Sequence, residues 1–175
     1  NLKEVVLNEG LQIIGEGAFA GCKLLKTIKV PSLVTEIGQS AFQDCRNLKE
    51  VVLNEGLETI GTYAFLRCES LTRIIIPSSV TKIAPRAFQD CCNLKEVVLN
   101  EGLETIGGEA FYGCESLTSI FIPPSVTKIS PGAFWHCKNL KEVVLNEGLE
   151  TIGPKAFFGC ESLTSIFIPP SVTKI

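Results

Sequence analysis

Asn93-Leu-Lys-Glu-Val-Val-Leu-Asn-Glu-Gly-Leu-Glu-Thr-Ile-Gly-Gly-Glu-Ala-Phe-Tyr-Gly-Cys114 is one turn of a pattern that fills the whole chain. Its closing cysteine recurs every 23 residues, at Cys22, Cys45, Cys68, Cys91, Cys114, Cys137 and Cys160. A phenylalanine stands three residues before each cysteine and a leucine three residues after, and no insertion or deletion breaks the register. A fixed period of this length means stacked repeats rather than a globule with one centre.

Within the quoted stretch, Leu94-x-x-Val97-x-Leu99 reads as a short strand with Val97 and Leu99 on one face and Glu96 and Val98 on the other. Asn100-Glu101-Gly102 carries turn chemistry, with Gly102 free to take positive φ. A second apolar spacing, Leu103-x-x-Ile106, ends at Gly107-Gly108. The segment from Glu109 to Cys114 has room for about one helical turn. The inward set per coil is then Leu94, Val97, Leu99, Leu103, Ile106, Ala110, Phe111 and Cys114. No coil of this size buries that set alone. Parallel stacking places each side chain on its equivalents above and below, in a rod or shallow arc roughly 35 Å long at the usual strand spacing.

The coils alternate between two kinds, so the full repeat is 46 residues. One kind is identical at 47–61, 93–107 and 139–153, and the other at 115–129 and 161–175. Pro31, Pro77, Pro123 and Pro169 replace the strand-end Asn of the first kind. Such near-identity fits recent tandem duplication or consensus construction. Residues 1–175 read as a single solenoid of about 7.5 repeats. Neither end carries a polar-faced capping repeat, so the expectation is an excerpt of a longer array whose raw ends pair end to end.

At this point the pattern resembles the BspA-type, or Treponema pallidum-type, leucine-rich repeats. The match lies in Leu117-x-x-Ile120-x-Ile122-Pro123 and in Ile106-Gly107-x-x-Ala110-Phe111-x-x-Cys114. Ala84 and Ser130 depart from it by replacing the Gly after Ile. The resemblance implies an α/β repeat solenoid: a right-handed stack of leucine-rich coils, with a parallel β-sheet on one face and short turns or helical turns opposite. It also implies a cell-surface or secreted protein, and an adhesin for matrix proteins or for other microbes.

Net charge is −3 and lysines alternate with glutamates, which leaves no basic footprint for nucleic acid. No apolar run approaches the ~20 residues that span a bilayer, so membrane insertion is not expected. The only histidine, His136, has no partner implied by spacing, and Asp occurs only at Asp44 and Asp90. No nucleophile, base and orienting group converge, so neither an enzyme nor a cofactor is expected. The cysteine column lacks C-x-x-C spacing, which speaks against metal. Buried thiols packed as small hydrophobes are the favoured reading, with local disulfides as the alternative. Cys92, off the column, is the candidate reactive thiol.

The outward strand position reads Val6, Lys29, Val52, Ile75, Val98, Phe121, Val144 and Phe167, an apolar stripe on a face that meets solvent. Glu50, Arg73, Glu96 and Glu142 share that face, and Lys3, Lys26, Lys49, Lys95 and Lys141 flank it. An apolar patch with a charged rim has the composition of an interaction surface. Strand propensity copied by repetition accounts for the same residues without function. The reading is therefore a protein-recognition or adhesion module displaying this stripe to a matrix or cell-surface protein. The alternative is a spacer in a long surface or fibrous array.

Overall fold

The computed structural model describes residues 2–175; Asn1, where the excerpt expectation begins, lies outside the described residues. The first strands are β1 (Ile13–Ile14), β2 (Thr27–Lys29), β3 (Glu36–Ile37), β4 (Glu50–Val52), β5 (Thr59–Ile60), β6 (Arg73–Ile76) and β7 (Lys82–Ile83). They are followed by β8 (Glu96–Leu99), β9 (Thr105–Ile106), β10 (Ser119–Phe121), β11 (Lys128–Ile129), β12 (Glu142–Val144) and β13 (Thr151–Ile152). Odd-numbered strands form one seven-stranded parallel sheet, in register at the 23-residue spacing, as in Ile14 opposite Ile37. The fold is thus a parallel β-solenoid of the leucine-rich-repeat kind, wound through about six turns. This continuous second sheet arises from the Leu-x-x-Ile spacing, whose isoleucines point inward and whose following residue ends each strand.

Even-numbered strands form the facing sheet, and they pair only two by two: β2 with β4, β6 with β8, and β10 with β12. Each Pro-coil strand is bonded to the Asn-coil strand after it, and lies unbonded beside the one before it. Proline explains the final rung. The N–H groups of Val30 and Ile122 point forward to the carbonyls of Val52 and Val144, so the next nitrogens, those of Pro31 and Pro123, point back with no hydrogen to give. Asparagine supplies the complementary half of the alternation. Asn54 Nδ2 donates to the carbonyls of Pro31 at 2.7 Å and Val34 at 3.0 Å, and Asn54 Oδ1 accepts from Gly56 N–H.

No helix occurs among the described residues, so the expected helical turns are corrected to plain turns. The backbone gives the reason. Two positions per coil hold positive φ: Ser40, Tyr63, Arg86, Glu109 and Lys155 align with Gly17 and Gly132, and Asp44, Arg67, Asp90 and His136 align with Gly21, Gly113 and Gly159. Their N–H groups donate to the next coil, as Ser40 does to Thr62 O and Asp44 to Leu66 O, whereas Ala41 and Gln43 donate back three residues. A helix needs every N–H aimed one way, and here they alternate. The left-handed residues each cost about 1–2 kcal/mol when not glycine, and the inter-coil bond holds them there. Asp and His are among the residues that tolerate this region best, which accounts for where Asp44, Asp90 and His136 stand.

The core is a set of columns. All eight residues of the expected inward set are buried. Phe19, Phe42, Phe65, Phe88, Phe111, Phe134 and Phe157 stack in one column, with centroids 5.2–5.5 Å apart. Beside it, each column cysteine thiol from Cys45 to Cys160, Cys92 lying off the column, donates to the carbonyl of the phenylalanine 26 residues earlier, for example Cys68 Sγ to Phe42 O at 3.2 Å. All eight cysteines are free thiols. Burial pushes the Cys45 thiol up to about 12, and drives Cys68 and Cys114 well above their ordinary value. These thiols are a small apolar filler that also satisfies a buried carbonyl.

Candidate protein-recognition surface

Alternation along each facing strand sends every second side chain to solvent. In β6 the burial runs exposed, buried, exposed, buried through Arg73, Ile74, Ile75 and Ile76. Val52, Ile75, Phe121, Val144 and Phe167 are all exposed, Phe121 by 53% and Phe167 by 73%, while Val98 is partly covered. Ladder register sets Ile75 beside Val98 and Phe121 beside Val144. It also brings Arg73 beside Glu96, joined by a 2.9 Å ion pair. With both side chains about half exposed, that pair contributes roughly 0–1 kcal/mol. Glu50 and Glu142 lie on the same face opposite Thr27 and Ser119, and Phe167 follows β12 outside any ladder.

Sequence reasoning missed the relief of this surface. The unbonded seam between β4 and β6 holds a groove of about 480 Å³, with Val52 and Ile75 on its walls and Lys49, Glu50 and Arg73 at its rim. The seam between β8 and β10 holds a smaller one of about 210 Å³, lined by Val98, Phe121, Lys95 and Glu96. The alternation of Pro31, Pro77, Pro123 and Pro169 with asparagine was the available signal, because proline withholds the final rung that would cross each seam.

The turn side carries a second cluster that the sequence did not single out. Tyr112, Trp135, His136 and Phe158 meet at ring-centroid distances of 5.7–6.2 Å, and Lys155 Nζ lies 4.9 Å from the Trp135 ring. A cavity of about 280 Å³ beside them is lined by Asp90, Cys92, Tyr112, His136 and Lys138. Cys92 is half-buried and donates to Asp90 O at 3.4 Å. Its thiol is pushed above its ordinary value by burial first and then by Asp90, Glu115 and Glu69. An activated nucleophile requires the opposite shift. Among the described residues, no group of three His, Cys, Asp or Glu side chains is arranged to hold a metal ion, and no helix is long and apolar enough to cross a membrane.

Residues 1–99 and 58–175 match the BspA type leucine rich repeat region, with six copies. The chain belongs to the BspA-type leucine-rich repeat family. It is similar to the T. pallidum leucine-rich repeat protein, with 35% identity and a TM-score of 0.81 over 87% of this chain and 72% of that one. A leucine-rich repeat protein of Bacteroides ovatus is 30% identical, with a TM-score of 0.71 over 93% of this chain and 48% of its own length. A leucine rich cell surface protein of Faecalibacterium prausnitzii is 27% identical, with a TM-score of 0.56 over 92% of this chain and 52% of its own. The chain therefore spans about half the length of the latter two. No curated protein matches it in sequence. BspA-type repeats form a scaffold, generally used for protein interaction and at surfaces, rather than a catalytic family.

Proposed function

We propose that this chain is a non-enzymatic recognition or adhesion module that binds a matrix or cell-surface protein through the apolar stripe of its facing sheet. The observation that carries the reading is the run of exposed Val52, Ile75, Phe121 and Val144 on hydrogen-bonded strands, continued by exposed Phe167 beyond β12. Contiguous exposed apolar surface rimmed by charge marks an interaction site. A surface held by backbone ladders spends little ordering entropy when a partner docks. Ile75, Phe121 and Phe167 are the larger anchors, and the two phenylalanines make the C-terminal half dominate. The family and the F. prausnitzii neighbour, itself a cell surface protein, support a surface or secreted location.

A second reading is favoured by one specific observation, the identity of the coils at 47–61, 93–107 and 139–153. A spacer needs uniformity, whereas a specific reader usually needs variation. Recovery of matrix and cell-surface proteins on the immobilised chain, beside its Ile75→Ser/Phe121→Ser/Phe167→Ser variant, separates the two. A partner held by the first and lost by the second supports recognition. Equal recovery makes the chain a spacer.

A further inference from the structure

Variation among like coils is concentrated in their turns. The coils closing at Cys68, Cys114 and Cys160 are identical over 47–61, 93–107 and 139–153. They differ only at Arg46, Cys92 and Lys138, at 62–63, 108–109 and 154–155, and at 66–67, 112–113 and 158–159. All of these are turn residues. The cavity of about 280 Å³ opens among them: Cys92, Tyr112 and Gly113 line it from one coil, and Asp90, His136 and Lys138 from neighbouring coils.

Gly113 makes the recess. It aligns with Arg67, and a Cβ in its place would stand 2.6 Å from Asp90 Oδ1. Each charge lining the recess has its own counter-charge: Arg67 Nε lies 3.9 Å from Asp90 Oδ2, and Lys138 Nζ donates to Glu115 Oε1 at 2.6 Å. Glu69, beyond Cys92, pairs with Arg46 at 3.4 Å, and Glu161 flanks Lys138 outside the cavity. An ion of either sign therefore finds no uncompensated partner. Hydrogen-bonding capacity is left over. Among the described residues Asp90 Oδ1 and Glu115 Oε2 accept no hydrogen bond, and the Tyr112 hydroxyl and the remaining Lys138 N–H groups donate none. The Tyr112 and His136 rings, edge to face at 5.7 Å, supply one apolar corner, backed by Trp135 stacked on His136.

We propose that this recess binds one pyranose ring of a carbohydrate, as a free sugar or as the end unit of a glycan chain. Its hydroxyls donate to Asp90 Oδ1 and Glu115 Oε2 and accept from Tyr112 and Lys138, and its C–H face lies against the Tyr112–His136 corner. A flat heterocycle has few hydroxyls for the two carboxylates, and an open-chain polyol has no fixed face for the rings. The volume falls just below the ~300–1,000 Å³ of drug-sized sites, which suits a single ring. This site is independent of the facing sheet.

Saturation-transfer NMR with glucose, galactose, mannose and N-acetylglucosamine, each as the free sugar and as its methyl glycosides, tests this. At least one is expected to bind with a Kd on the order of 1 mM. A free sugar bound better than its glycosides supports free-sugar capture, and a glycoside bound as well or better supports a chain end. At roughly ten times Kd that sugar is expected to slow iodoacetamide modification of Cys92 about tenfold and to leave Cys22 unaffected. Tyr112→Leu/Gly113→Arg gives this coil the Leu66-Arg67-Cys68 turn that the chain already folds, where Arg67 holds positive φ between Asp44 and Asp90. Asp90→Asn removes one acceptor at a position whose positive φ asparagine tolerates. Each variant is expected to weaken binding about tenfold or more, with circular dichroism verifying that it folds. The proposal is overturned if no sugar gives saturable transfer, if sorbitol or adenosine binds as tightly as the best sugar, if Cys92 is not protected, or if both variants bind as the parent does.

Discussion

Raising the pH tests the cysteine column directly. Four neighbouring thiols, Cys68, Cys91, Cys114 and Cys137, are fully buried, and burial raises each above its ordinary value of 9.0. Below about pH 9 both folded and unfolded chains keep these protons, and the column's contribution is complete. Above it the unfolded chain releases protons that the folded chain still holds. The unfolded state then binds fewer protons, so stability falls as pH rises. Each thiol raises the unfolding constant by up to tenfold per pH unit, so four together raise it by roughly ten-thousandfold, or about 5 kcal/mol per unit. Cys160 and Cys45 add to the slope until their own thiols ionise, near about 11 and about 12. Against a typical stability of 5–15 kcal/mol, cooperative unfolding is expected within roughly one to three pH units above 9. Urea titrations followed by circular dichroism, under reductant at a series of pH values from about 8 to 10.5, measure the slope. The Cys91→Ala/Cys114→Ala variant is expected to lose half of the four-thiol contribution. A flat midpoint across that range, or a slope indifferent to the two substitutions, refutes the reasoning.

Three further outcomes follow from the packing. Gly107→Ala drives a Cβ into Ile83 O, the acceptor of Gly107's own N–H, and is expected to cost at least about 1–3 kcal/mol, whereas Ser130→Ala at the equivalent position leaves Tm near the parent's. Asn54→Ala strips the side-chain donor from the Pro31 and Val34 carbonyls, and a loss of about 1–3 kcal/mol is expected by thermal melting. Iodoacetamide followed by mass mapping is expected to modify Cys22 and Cys92 in the native protein and the other six only on unfolding; early modification of Cys114 would count against a closed column.

Much of this architecture was legible because apolar spacing repeats without error. Leu94, Val97, Leu99, Leu103, Ile106, Ala110, Phe111 and Cys114 were assigned inward from one coil, and all are buried. The second sheet was not legible, since a two-residue strand such as Thr105–Ile106 carries no alternation to read. Its pairing comes from stacking alone. The turn side misled for a related reason. Ala110-Phe111 fits a helical turn locally, yet Tyr63, Arg86 and Lys155 hold positive φ because neighbouring coils claim their N–H groups. On the facing sheet, Phe121 and Ile75 were placed outward from alternation. The seams beside them depend on which way a proline nitrogen points, and no period in the sequence states that.

The two sheets also make the molecule mechanically unequal across its width. One side is an unbroken seven-stranded ladder, and the other forms strand ladders only within pairs of coils. A load along the axis therefore meets a stiff spine on one side and pre-cut joints on the other. At each joint a single bond ahead of the strands, such as Ser70 N–H to Arg46 O, stands in place of a ladder, so the joints, at two-coil intervals, open before the paired strands part. Curvature and grip are then adjusted by whole 46-residue leaves, which makes the array elastic without melting any one of them.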